Sequence, residues 1–162
     1  MAETWEVQNP DPPTLENIPE TWKGYTKAQK VQTLLDVVED QLRMVRNGTF
    51  DVSKGVDVAA LALEGQLALA DFYSDAEARA KSAKHVAEYI EVEVASKIGK
   101  DALADGSKRL SEAALKRHST ASDEVKKAKQ KAIDLEKEHK KWRCVYDILK
   151  EAHIFFRNIS RE

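Results

Sequence analysis

Six basic residues, Lys97, Lys100, Lys108, Arg109, Lys116 and Arg117, fall within a single stretch, and Lys126, Lys127, Lys129 and Lys131 follow closely. Lysines and arginines gathered in this way neutralise phosphates and release counterions, so the chemistry they suggest is polyanion binding that is salt-sensitive and tolerant of sequence. The same residues also suit a solvated helix face in a Lys/Glu-rich chain. No aromatic residue lies between Lys100 and Thr120, which argues against base stacking there. Tyr73 and Tyr89 precede the cluster and contribute only if that end of their helix faces the ligand.

Other chemistry finds little support. The fragment Gly99-Lys100 lacks both the earlier glycine and the following Ser or Thr of a phosphate-cradling loop. The four histidines are His85, His118, His139 and His153. His139 and His153 share one helical seam but stand about 21 Å apart along it, too far to hold one metal within a chain. They read as polar seam residues that set register, with a His ring around an oligomer axis, or a pH-sensitive interface, as the sharper alternative. No nucleophile, base and acid can be assembled from local spacing. The expectation is a protein without enzymatic activity, cofactor or metal. Cys144 is the only cysteine and sits beside apolar seams, so it is expected to be a buried structural thiol.

The elements that position the basic cluster are helical. Of 162 residues, 33% are charged, 6 are Gly and 4 are Pro, a composition that fits an all-α protein. There is no apolar run long enough to span a membrane and no signal-peptide pattern, so a cytoplasmic protein is expected, in the host cytoplasm if phage-encoded. Charge is unevenly spread. Residues 1–50 carry a net −3, residues 51–96 a net −5 and residues 97–162 a net +6.

Residues 1–24 form an acidic, Pro-rich arm carrying Trp5, Leu15, Ile18 and Trp22. The arm is either disordered or docks its aromatics on a neighbouring subunit. Residues 25–162 are expected to form a single helical domain. Thr26 with Gln29 predicts a capping box opening a helix whose face is Val31, Leu34, Leu35, Val38, Leu42 and Val45, with Asn47-Gly48 as its stop. A second helix begins after Ser53 or Gly55 and is expected to end at Ile98, with Gly99 as the stop and a possible break near Asp71–Asp75. Alanines at 76, 80, 83 and 87 allow another helix to come close. Asp105-Gly106-Ser107 reads as a turn, Ser111 as the N-cap of a short helix, and Thr120 or Ser122 as the cap of the last one.

That final helix carries a seam in alternating steps of three and four: Val125, Ala128, Ala132, Leu135, His139, Trp142, Tyr146, Leu149, His153 and Phe156. Val145, Ile148, Ala152, Phe155 and Ile159 add a second apolar face. The expected architecture is long antiparallel helices in a hairpin or bundle. Copies would join through Trp142, Tyr146, Leu149, Phe155, Phe156 and Ile159 into a ring-like homo-oligomer. In a monomer, Phe155, Phe156 and Ile159 would instead lie inside a four-helix bundle.

A basic helix end, a turn, Ser111-Glu112 opening a new helix, and a last helix reading Trp142…Tyr146-Asp147-Ile148-Leu149…Ala152-His153…Ile159 together resemble the phage recombination mediators, the UvsY-like family. The resemblance covers roughly residues 70–160. It implies a non-enzymatic accessory protein that binds single-stranded DNA and helps a RecA-type recombinase displace single-strand-binding protein. By position, the family's DNA-contacting stretch falls on Lys97 and Lys100. Glu91 and Glu93 depart from the family's basic tendency just before that stretch, and the N-terminal arm lies outside the resemblance. Two other readings stand beside this one. One is a coiled-coil scaffold or assembly protein without DNA binding. The other is a small inhibitor that engages a host nucleic-acid enzyme through the acidic residues 51–96.

Overall fold

The computed structural model describes residues 13–106 and 108–161, and these contain four α-helices and no strand. The helices are α1 (Lys27–Arg46), α2 (Gly55–Ala104), α3 (Glu112–Ala121) and α4 (Asp123–Ile159), with one 3₁₀ turn at Val52–Lys54. The all-α expectation therefore holds among the described residues.

Local chemistry sets the ends of these helices. The Thr26 hydroxyl accepts from the Gln29 amide at 3.1 Å, and the Gln29 side chain accepts from the Thr26 amide at 2.8 Å, closing the capping box that opens α1. Asn47 and Gly48 end α1, with Gly48 at φ +70°. Asp51 caps the 3₁₀ turn through the Ser53 amide at 3.0 Å. Ser111 caps α3 by accepting from the Ala114 amide at 3.3 Å.

Two expectations for α2 need correction. The helix is unbroken through residues 71–75, and it does not stop at Gly99. A glycine ends a helix when the chain there takes the left-handed conformation. Gly99 stays helical, and the reversal falls at Gly106, whose φ is +72°. Ser107, the last residue of the expected turn, lies outside the described residues, as does Trp5 of the arm.

The chain divides into two compact units, residues 1–70 with 145–162, and residues 71–144. In the first, α1 and the parts of α2 and α4 that belong to this unit bury large side chains: Leu34, Val37, Val38, Val58, Leu69, Leu149 and Phe156 are almost fully enclosed. Phe50 packs against Phe156 with ring centroids 5.1 Å apart. Gly65 lets this packing close, because a Cβ there would stand 3.1 Å from a Leu149 methyl and 3.4 Å from the Leu34 Cβ. The described part of the arm docks on its own unit. The Trp22 indole donates to Glu64 at 2.9 Å, Lys30 lies over the same ring and pairs with Glu64 at 2.6 Å, and Glu16 pairs with Lys54 at 3.2 Å.

In the second unit the contacts between α2 and α4 run in opposed order. Phe72 meets Trp142 edge-on at 4.7 Å, Arg79 approaches Glu138 at 3.8 Å, and Glu91 meets Lys129 at 2.8 Å. The buried positions between them on α2 are small: Ala76, Ala80 and Ala87.

Candidate nucleic-acid interface

The basic cluster lies in the second unit, on the last turns of α2, the connection that follows, and α3. All six residues, Lys97, Lys100, Lys108, Arg109, Lys116 and Arg117, are exposed. Among the described residues, none of the six lies within ion-pair distance of a carboxylate. One contact joins the two helix turns that carry four of them. A Cβ on Gly99 would stand 3.5 Å from a Leu115 methyl, ordinary van der Waals contact, so α3 lies directly over the end of α2 at this point. Lys97 and Lys100 flank Gly99, and Lys116 and Arg117 follow Leu115. Sequence spacing alone does not show this approach, because the connection hides which residue of α3 returns to which turn of α2.

Glu91 locks the arrangement. Its carboxylate accepts from the Thr120 hydroxyl at 2.8 Å and pairs with Lys129 at 2.8 Å, tying α2 to the end of α3 and to α4. The hydrogen bond from Lys129 holds the Glu91 carboxyl below its ordinary range. The Thr120 bond adds to this, and nearby Lys116 contributes through its charge. In the sequence Glu91 stands out only as an acidic departure from a basic pattern. Ser119 is also buried without any sequence signal, and its hydroxyl donates to the Lys116 carbonyl at 3.0 Å.

The lysines that open α4 are less uniform. Lys126 lies 3.9 Å from Asp123 and Lys129 is committed to Glu91, while Lys127 and Lys131 remain exposed. Tyr89 is 68% exposed on α2.

The residues expected to join copies divide sharply. Trp142 is buried in the second unit, and Leu149 and Phe156 are buried in the first, so their own chain covers all three. Tyr146 and Ile159 are half-buried, and Phe155 is 40% exposed. Cys144 corrects another expectation: it is exposed. The inward positions nearby are Trp142, Val145 and Leu149, and residue 144 lies one helical step, about 100°, from Val145, enough to turn the thiol outward.

Of the histidines, His85 and His118 are exposed, and His85 faces Glu88 at 3.6 Å. His153 Nδ1 lies 2.9 Å from the Ala59 carbonyl. His139 packs on the Tyr73 ring at 5.0 Å, with its Nε2 buried and unpartnered among protein atoms. Among the described residues no three His, Cys, Asp or Glu side chains are grouped to hold a metal, and no helix is long and apolar enough to cross a membrane.

No family model, curated protein or solved structure matches the chain.

Proposed function

We propose that the protein is a recombination mediator that binds single-stranded DNA through the basic end of its second unit. In this role it helps load a RecA-type recombinase by displacing single-strand-binding protein. The observation that carries the reading is the Gly99–Leu115 contact, which lays the turn of α3 bearing Lys116 and Arg117 on the turn of α2 bearing Lys97 and Lys100, all four exposed and, among the described residues, outside ion-pair distance of a carboxylate. The resemblance to the UvsY-like family, which rests on the same stretch, supports it. We read the opposed order of α2–α4 contacts as an antiparallel helical hairpin whose tip presents these cations to phosphates. The mechanism is electrostatic and needs neither a catalytic group nor a cofactor. In a ring-like homo-oligomer, copies would repeat the patch along one DNA strand. A cytoplasmic location fits this role.

Fluorescence anisotropy with a labelled oligonucleotide tests the proposal. Replacing Lys97, Lys100, Lys108 and Arg109 with Ala should weaken binding to every sequence alike. It should also flatten the slope of log affinity against log salt by about 0.7 for each phosphate that is no longer neutralised. Affinity and slope equal to wild type would remove this site. A wild-type chain without DNA affinity at low salt would favour the second reading, a coiled-coil scaffold, to which the alanine seam between α2 and α4 lends support.

A further inference from the structure

The second unit also carries an open groove between α2 and α4, running from the Glu91–Lys129 pair to Glu77 and His139. Its floor is alanine, with Ala80 and Ala87 buried and Ala132 half-buried. Ile133, the large apolar side chain on its α4 side, is 46% exposed. The small floor brings the two helices together but leaves nothing to cover Ile133. A hairpin with this cross-section is half of a four-helix bundle.

The charges lining the groove indicate what covers it. The contacts Arg79–Glu138 and Glu91–Lys129 fix the level of one helix against the other, and halfway between them lie residue 85 of α2 and residues 133–134 of α4. Consider a two-fold axis lying in the plane of the interface and crossing the helices at right angles, within one residue of that level. It sets Lys84 opposite the partner's Glu88 and Lys81 opposite the partner's Glu91. On α4 it sets Lys129 opposite the partner's Glu136 and Ile133 beside the partner's Ala132. All of these residues line the groove. Each pair occurs twice, and none of the pairs named brings like charges together. A groove that is its own electrostatic complement under a two-fold rotation matches a second copy of the same surface.

We propose that this groove is an isologous dimer interface, in which two α2–α4 hairpins pack as a four-helix bundle around Ile133. Lys81, Glu91 and Glu136 already have partners within the chain, at Glu77, Lys129 and Lys140. In the dimer these pairs extend into networks across the interface. Glu88 faces only His85, at 3.6 Å, and Lys84 has no carboxylate within ion-pair distance among the described residues, which makes Lys84 and Glu88 the pair to exchange.

Sedimentation of the full chain at micromolar concentration tests the interface without reference to DNA. The wild type should sediment as a dimer or a multiple of it. Lys84→Glu sets two glutamates against each other at both symmetry-related places, and Glu88→Lys does the same with lysines. Each variant should self-associate about tenfold or more weakly than wild type, with circular dichroism unchanged because both sites are exposed. Mixed in equal amounts, the two variants regain opposite charges at both places, and association should return to within about threefold of wild type. A monomeric wild type overturns the proposal. So does a mixture that associates no better than its components, which would point to another protein's helix as the occupant of the groove.

Discussion

The two compact units are built from parts of the same long helices but reach opposite solutions to covering apolar surface. The first packs leucine, valine and phenylalanine against a third helix, α1, and encloses Phe156 and Leu149 completely. In the second, the buried residues between the aromatic pair Phe72–Trp142 and the Glu91 clasp are small, and Ile133 is left in solvent. Large side chains meeting from three helices can satisfy one another within a chain. Two helices joined through alanines come close together but enclose little volume, so their flanks stay open to a partner. The contrast is between a unit closed by large side chains and a unit whose helices meet through small ones and leave Ile133 exposed.

The largest test of that contrast is Phe156→Ala. Truncating a fully buried phenylalanine should cost about 3–5 kcal/mol in chemical denaturation. A loss below about 1 kcal/mol would mean that the first unit is not the tightly packed one. The two helical glycines sharpen the comparison. Gly65→Val would push into Leu149 and Leu34 and should destabilise by about 1–3 kcal/mol. Gly99→Ala in the second unit meets only ordinary contact with Leu115, and should stabilise by about 0.5–1 kcal/mol as helix propensity improves. If both substitutions had the same sign, the packing difference would be lost.

The smallest expected effect concerns Glu91. Its carboxyl is depressed, so the ionised form is the one the fold favours. The stabilisation is present above the ordinary value of 4.5 and is lost as pH falls through the folded value. A carboxyl NMR titration should place the Glu91 midpoint below 4.5, and Lys129→Ala should move it upward. A midpoint at or above 4.5 in the wild type would show that the clasp is not formed.

Much of the fold was readable from local chemistry. The caps at Thr26, Asn47-Gly48 and Ser111 act between residues a few positions apart, and all three operate as their spacing predicts. The three-four seam of α4 correctly marks an inward face. What it does not reveal is whose side chains complete that face, and Trp142, Leu149 and Phe156 turn out to be covered by their own chain. Gly99 misleads for a related reason: the same residue type serves as a helix stop or as a flat landing for another helix, and only the arrival of Leu115 decides between them. The basic cluster was visible as composition. The contact of its two helix turns at Gly99 and Leu115, and the ties that Glu91 makes from α2 to α3 and α4, depend on long-range approach that no local spacing encodes.

The outward-facing thiol of Cys144 has a practical consequence. Because it is the chain's only cysteine and is exposed, a nitroxide or dye attached there marks each molecule once, with no substitution and no disturbance of buried packing. The native sequence is in effect supplied with its own molecular ruler. In a labelled sample of identical chains, any spin–spin distance recorded must run from one copy to another.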